Sequence, residues 1–205
     1  MDTTLFSENG DASNGAGEVV QVGVTTVGAI RRGLLRFDVE QAVPYGSTID
    51  TVRLTLTVES VASTAPMDVS LHPVLEAWGE AGSAAAVWAT DGAPAMDGDA
   101  TWSHSMWPTT TWTTMGGELG SAVGTTSVGD VGAYDWVSAP GAGTVADVQA
   151  WLDDPGTNYG WALVMDDEAS TDTWKALYSR EHATAAERPQ LEIVYTPPPD
   201  TDSDG

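Results

Sequence analysis

Four polar residues near the C-terminus have the residue types of a hydrolytic site. The stretch LYSREHATAAERPQLEIVY places Ser179, Arg180, Glu181 and His182 side by side. In an extended strand alternate side chains point to opposite faces, so Ser179 and His182 should face apart. A nucleophilic serine also needs a strained elbow or oxyanion donors, and the chain has no G-x-S-x-G sequence. We therefore expect a non-enzymatic protein in which Glu181 forms an ion pair with Arg180 or Arg188.

Three acidic loops offer the oxygen ligands that Ca²⁺ prefers. They are MDDEASTD with Asp166, Asp167 and Asp172, ENGDASN with Asp11 and Asn14, and DGAPAMDGD. Acidic loops are usually only solvated. We therefore give equal weight to a structural calcium ion in at least one of the three loops and to no ion in any of them. The final D-x-D-x-D-G, residues 200–205, matches only the first half of a calcium-binding loop, so a flexible acidic linker is favoured there.

Arginine and tryptophan side chains are the candidates for binding sugars. Candidate arginines are Arg32, Arg36, Arg53 and Arg180. Arg36 and Arg53 are expected together on one sheet surface, where guanidinium groups bind a sugar carboxylate or sulfate through paired hydrogen bonds. The alternative is that these arginines form salt bridges with some of the 30 acidic residues.

The stretch between residues 78 and 112 is rich in tryptophan and has weak periodicity. It predicts long irregular loops lying over a sheet face. Trp107 and Trp112 are the candidates for stacking on sugar rings, and the alternative is that the indoles form the core of the loop layer.

Composition narrows the class of partner. The chain has 205 residues, no cysteine and a formal net charge of -23 at pH 7. Such a field repels nucleic acids and anionic membrane surfaces. No run of about 20 apolar residues is present, so we expect no insertion into a membrane. The N-terminus lacks the pattern of a signal peptide, which implies that any signal was removed.

Short strands must position these residues. Period-2 alternation recurs in seven segments, and each segment predicts a strand with one buried face. The alternating residues are Val20, Val22 and Val24; Leu35, Phe37 and Val39; Leu54, Leu56 and Val58; Val69 and Leu71; Trp161, Leu163 and Met165; Trp174, Ala176 and Tyr178; and Leu191, Ile193 and Tyr195. Gly-, Asn- and Pro-rich turns separate them, so the fold class is all-β, a β-sandwich.

One segment, GTVADVQAWLDDPG, breaks this rhythm and predicts a short helix. Its apolar residues fall at helical spacing, Thr144 and Asp147 have the spacing of a capping box, and Pro155 and Gly156 end it. We expect one folded domain over residues 1–196. Residues 197–205 are expected to be a Pro/Asp-rich linker to a missing downstream segment.

Several segments carry a family resemblance when they are taken in order. They are SNGAGEVVQVG, RRGLLRFDV, VPYGSTIDTVRLTLTV, LEAWGE, DATWSHSMWPTTTWTTMGGEL, VADVQAWLDDPGTNYGWALV and LYSREHATAAERPQLEIVY. Over residues 2–195 they resemble the DNRLRE-domain family, which includes carbohydrate-binding module family 96 and the disaggregatase-related repeats. The chain departs from that pattern at Val52, where alanine is usual, and in its strong acidity.

The resemblance implies a jelly-roll β-sandwich in a secreted or cell-surface protein. It further implies polysaccharide binding and structural calcium. We therefore expect a non-catalytic carbohydrate-binding module. The alternative is a structural or adhesive subunit of an extracellular array, stalk or filament. Such a subunit would associate with its own copies through edge strands, with the segment MDTTLF as a donor strand.

Overall fold

Strands dominate the part of the chain, residues 1–85 and 91–199, that the computed structural model describes. The predicted all-β, sandwich-like fold is confirmed. The strands are β1 (Asp2–Phe6), β2 (Ala12–Ser13), β3 (Val19–Val24), β4 (Ile30–Leu35), β5 (Thr48–Val61), β6 (Met67–Pro73), β7 (Ala93–Pro94), β8 (His104–Met106), β9 (Thr110–Thr111), β10 (Gly124–Val128), β11 (Gly132–Ser138), β12 (Trp161–Met165), β13 (Lys175–Tyr178) and β14 (Gln190–Thr196). Trp88 and the acidic tail from residue 200 onward lie outside the described residues.

The larger strands form one curled antiparallel sheet. Its order is β10-β6-β12-β4-β3-β13-β5-β11, with β1 paired to β4 and β14 paired to β5. Strand β3 joins the two halves, because it pairs with β13 over residues 19–22 and with β4 from Gly23 onward. Gly23 has a φ of +108°, and a Cβ there would lie 2.8 Å from Trp174 Cα. The change of partner strand therefore requires glycine.

The main core lies between the two halves of the curled sheet. Leu54, Leu56 and Val58 of β5 face Trp161 and Leu163 of β12, and all five are at most 2% exposed. In β5 the alternation that predicted the strand is the alternation of buried and outward side chains, whereas in β12 the intervening Ala162 is buried as well. Burying such side chains contributes about 1.5–3 kcal/mol each.

A second apolar cluster lies beneath the tryptophan-rich loops. It contains Leu5 of β1, Leu34 of β4 and Ala162 of β12, together with Trp78 and Trp112 from the loops. Trp78 also donates its indole N–H to the carbonyl of Tyr159 at 2.7 Å. The loops therefore form a covering layer with its own core on the outer side of the sheet.

The predicted helix is α1 (Gly143–Asp153). Its expected inner face is confirmed, since Val145, Val148, Trp151 and Leu152 are buried. The predicted capping box is wrong. Ala142 occupies the N-cap position without a side-chain hydrogen bond. Asp147 instead accepts a hydrogen bond from the Trp161 indole at 2.7 Å, which fixes α1 to β12.

Seven of the fourteen strands in the described chain were not among the predicted segments: β1, β2, β7, β8, β9, β10 and β11. Strand β1 pairs along its whole length with β4 of the same chain and is buried throughout. The segment is therefore paired within its own chain, and its role as a donor strand between copies stays a prediction. Strands β10 and β11 form a hairpin that carries the buried Trp136, whose indole donates to the carbonyl of Val69 at 2.9 Å.

Candidate functional site

The polar quartet near the C-terminus forms a turn after β13, where the sequence predicted continued strand. Ser179 is fully buried, donates to the carbonyl of Gly17 at 2.7 Å and accepts from the backbone N–H of Glu181. His182 stacks on Tyr178 and contacts Glu187 at 3.0 Å. Because the turn brings neighbours together, Arg180 Nε lies 2.9 Å from Glu181 Oε1, the predicted ion pair. Arg188, the other expected partner, instead donates to the carbonyl of His182.

Arg180 also joins a cluster of three carboxylates drawn from distant parts of the chain. Asp2 begins β1, Glu80 lies in the tryptophan-rich loop, and Glu181 lies in the turn after β13. One oxygen of each lies within 4.8 Å of the other two. Arg180 contacts Glu80 through Nε and Nη2, both at 3.1 Å. This is the only such group of metal-ligating side chains found among the described residues.

Two of the three carboxylates are almost completely buried. Asp2 is 2% exposed, and the Glu80 side chain is 5% exposed. The backbone N–H of Arg180 donates to Asp2 Oδ2 at 2.9 Å, and the backbone N–H of Asp2 donates to Glu80 Oε1 at 3.0 Å. Burial, with help from Glu181 and Glu80, raises the pKa of Asp2 to about 7 against the opposing Arg180 N–H. Three acids at this point are therefore an unfavourable arrangement without a compensating charge.

Two clefts meet beside this cluster. The first, about 250 Å³, runs from Asp2 and Arg180 to the segment Arg36–Asp38. The second, about 240 Å³, shares that segment and continues to Trp151 and Tyr159. The two clefts share three consecutive lining residues, and we name the pair of clefts the Arg36 groove. Its lining residues include Asp2, Arg180, Arg36, Phe37, Asp38, Glu40, Trp151, Asn158 and Tyr159.

Arg36 lies at the junction of the two clefts and follows the last residue of β4. Its backbone N–H donates to the carbonyl of Met1 at 2.8 Å, which fixes the main chain. Its side chain is exposed, and it forms no ion pair within the described chain. Asn158 donates to the carbonyl of Phe37 at 2.8 Å, and its Oδ1 is buried with no partner among the described residues. The groove thus offers an unused donor and an unused acceptor.

Arg32, a candidate for sugar binding, forms contacts within the protein. Its Nε and Nη2 contact the two carboxylate oxygens of Glu168 at 2.8 Å each, and Nη1 donates to the carbonyl of Gly116 at 3.0 Å. Its guanidinium also lies over the Trp102 ring. These contacts use the donors that a sugar would need, so Arg32 connects the tryptophan-rich loop to the acidic loop after β12.

Arg36 and Arg53 are not brought together on paired strands. Arg36 follows β4, which pairs with β1, β12 and β3. Arg53 is exposed on β5, opposite Glu192 of β14 and Val137 of β11. The predicted groove between these two arginines is therefore wrong, because their strands belong to different halves of the sheet.

The two candidate tryptophans differ in their surroundings. Trp112 is 5% exposed and donates its indole N–H to the carbonyl of Thr101 at 2.8 Å. Its ring is a core ring of the loop layer, so its expected stacking on a sugar is wrong. Trp107 is half-buried and donates to Asp11 Oδ1 at 3.2 Å. It lies outside the residues that line the Arg36 groove.

The predicted calcium ligands do not form a metal-ligating group within the described chain. Asp167 is exposed and accepts from the backbone N–H groups of Ala169 and Ser170. Hydrogen bonds with the Ser170 side chain first, and then with these two backbone groups, lower its pKa. Asp172 accepts from Thr26 Oγ1 at 3.4 Å. Asp166 is exposed, and Glu168 in the same loop is used by Arg32. These acids organise a turn.

The second predicted loop is also structural. Asn14 is buried, donates to the carbonyl of Val19 at 2.8 Å and accepts from the backbone N–H of Ala85 at 2.8 Å. Asp11 is exposed and accepts from Trp107. Because both groups of the Asn14 amide are used within the protein, this side chain is not available to a metal ion.

Sequence reasoning missed Asp2, Glu80 and Asn158. None of them lies in a dense acidic run or a recognisable motif. The available signal was the Ser-Arg-Glu segment, which contains Glu181, one of the three carboxylates of the cluster.

The chain matches no protein-family model and no curated protein, so the DNRLRE resemblance stays a prediction. In the described part of the chain, no helix has the length and apolar character needed to span a membrane.

Proposed function

We propose that the protein is a non-catalytic carbohydrate-binding module and that the Arg36 groove holds its polysaccharide ligand. One observation carries the proposal. Among 30 acidic residues, the exposed Arg36 guanidinium has no ion-pair partner in the described chain, and it lies where two clefts join. Ligand sites are typically clefts lined by apolar and aromatic side chains with a few polar groups that fix the orientation of the ligand, and the lining of these clefts has both.

The chemistry of the groove favours a neutral polysaccharide. Arg36 supplies hydrogen-bond donors, while Asp38, Glu40 and Asn158 Oδ1 supply acceptors. Sugar hydroxyls donate and accept, so they match this mixed set. The partly exposed rings of Phe37 and Tyr159 provide apolar surface for sugar C–H groups. The net charge of -23 opposes the approach of a polyanion.

The proposal also includes the location of the protein and a bound metal ion. We infer a secreted or cell-surface protein with structural calcium, supported by the family resemblance and by the suitability of such a module for extracellular glycans. The calcium loops expected from the sequence do not fit an ion well, which directs attention to the buried carboxylate cluster.

Affinity gel electrophoresis tests the binding. We expect retardation by at least one neutral polysaccharide, such as a β-glucan, a xylan or a galactomannan, and weaker or no retardation by alginate and pectin. Arg36→Ala should weaken binding at least tenfold, because it removes a charged donor from the groove. Arg53→Ala is the matched control, since Arg53 is an exposed cation outside the groove. Absence of retention by every polysaccharide, or full retention by Arg36→Ala, contradicts the proposal.

One observation favours a second function, assembly with copies of the same chain. Strand β14 pairs only with β5 among the described strands, so its other edge carries free backbone groups. Exposed Val194 on β14 and Val137 on β11 lie on the outer surface of this half-sheet. A dimer or polymer by light scattering would support assembly, and a monomer at about 100 µM would exclude it.

A further inference from the structure

We propose that the carboxylate cluster of Asp2, Glu80 and Glu181 is a Ca²⁺ site that joins the two halves of the sheet to the tryptophan-rich loop. The site deepens the calcium part of the proposed function and does not require the Arg36 groove to bind sugar. It differs from every calcium loop that the sequence indicated.

The first argument is the uncompensated charge. Three carboxylates face two cations, the guanidinium of Arg180 and the nearby Met1 ammonium, so the cluster keeps an excess of negative charge. Glu80 and Asp2 are almost fully buried, while the Arg180 side chain is 53% exposed. The nearby Met1 ammonium donates to the carbonyl of Arg36 at 2.9 Å. A bound metal cation offsets the remaining negative charge, and burying like charges without such an ion is costly.

The second argument is independent of charge and concerns unused oxygens. Asp2 Oδ1 and Glu181 Oε2 are both buried and have no hydrogen-bond partner among the described residues. The other oxygen of each is used, Asp2 Oδ2 by the Arg180 N–H and Glu181 Oε1 by the Arg180 side chain. Buried acceptors normally have a partner. Two unpartnered carboxylate oxygens in one cluster indicate a missing partner, and a cation coordinated by both oxygens would supply it.

The spacing suits calcium. Ca²⁺ binds oxygens at about 2.3–2.6 Å, so ligands on opposite sides of the ion lie roughly 5 Å apart and adjacent ones lie closer. The three carboxylates each offer one oxygen within 4.8 Å of the others. Calcium accepts flexible geometry and completes its shell with water, whereas Mg²⁺ demands a nearly ideal octahedron. With three protein ligands, we expect a dissociation constant of about 10⁻⁴–10⁻³ M, as in extracellular modules.

Calorimetric titration of the EDTA-treated chain with CaCl₂, without any sugar, tests the site. We expect one ion per chain and weaker heat with MgCl₂. At a hundredfold excess over the dissociation constant, calcium should raise the midpoint of thermal unfolding by roughly 5–10 °C. Glu80→Gln and Glu181→Gln should each weaken binding at least tenfold. Both variants remove a charge from a crowded cluster, so they should fold in EDTA.

Two further variants separate this site from general acidic attraction. Asp167→Asn removes an equal charge from an exposed loop and should leave calcium binding unchanged. Arg180→Gln removes the cation that competes for Glu80 and Glu181, so it should tighten calcium binding severalfold. A purely structural ion pair would show no such gain. The proposal is overturned if calcium neither binds nor stabilises at 10 mM, if binding survives both glutamine substitutions, or if Asp167→Asn abolishes it.

Discussion

Replacing Lys175 with methionine should destabilise the fold through lost hydrogen bonds to its ammonium group. Lys175 is the only lysine in the chain, and it is fully buried on β13. Its ammonium donates to the carbonyls of Ser63, Ala65 and Gly129, at 2.8 Å for Gly129. These bonds connect β13 to the loop after β5 and to the β10–β11 turn. Methionine keeps the length of the side chain but donates nothing.

The magnitude follows from the surroundings of each carbonyl. The bond to the Gly129 carbonyl is buried, so loss of its partner costs about 1–3 kcal/mol. Ser63 and Ala65 lie nearer the surface, where water replaces the ammonium at a cost below about 1 kcal/mol each. The desolvated charge is also removed, which offsets part of the loss. We expect a net destabilisation of about 2 kcal/mol, or a melting point about 4–8 °C lower.

Urea unfolding followed by tryptophan fluorescence measures this change. The midpoint should fall in Lys175→Met with an unchanged m-value. Burial also lowers the pKa of Lys175, so the unfolded chain holds the proton to higher pH than the folded chain. The free energy of unfolding of wild type, relative to that of Lys175→Met, should therefore increase as the pH rises from the pKa of Lys175 in the folded chain toward its value of about 10.4 in the unfolded chain. Arg53→Met, which removes an exposed cation, should change stability by less than about 0.5 kcal/mol. A Lys175→Met protein as stable as wild type would refute the reasoning.

Two other predictions concern the contacts that fix α1 and the loop layer. Burial raises the pKa of Asp147 despite the bond from Trp161, so the folded chain holds its proton to higher pH than the unfolded chain. Asp147 therefore makes stability fall as the pH rises above about 4. The free energy of unfolding, measured with urea between pH 3.5 and about 7, should therefore decline less steeply in Asp147→Asn than in wild type. The exposed Asp153→Asn should decline as wild type does. Equal slopes of this free energy against pH for wild type and Asp147→Asn would contradict the prediction. For the Arg32–Glu168 pair, whose side chains are 18% and 22% exposed, a double-mutant cycle with Arg32→Gln and Glu168→Gln should give a coupling of about 1 kcal/mol, and simple additivity would show that the pair contributes nothing.

The sequence predicted strands well where each strand has one buried face. Leu54, Leu56 and Val58 alternate because β5 separates the core from solvent, and alternation is a local signal. Strands β10 and β11 were missed because threonine, serine, glycine and alanine dilute the alternation that Val128 and Trp136 carry. The helix was found from its apolar spacing. Its capping box failed because Asp147 is used by Trp161, a partner that depends on tertiary packing.

The candidate site was harder to predict because its parts are distant in the sequence. Asp2 and Glu181 meet through the pairing of β1 with β4 and the turn after β13, which no local pattern encodes. Dense acidic loops were misleading, since the carboxylate of Asp167 is used by its own turn. Arg36 was a candidate from the sequence, and its role stays a prediction; its position beside Tyr159 and Asn158 depends on the loop between α1 and β12.

The position of β5 in the sheet has a consequence for biosynthesis. It ends at Val61, whereas its partners β11, β13 and β14 begin at Gly132 or later. At about 5–20 residues per second, the ribosome exposes β5 for roughly 4–14 s before its first partner emerges. During that interval an amphipathic strand of 14 residues has both edges free, which is a risk for aggregation. The charge of Arg53 in the middle of this strand opposes pairing between identical nascent chains.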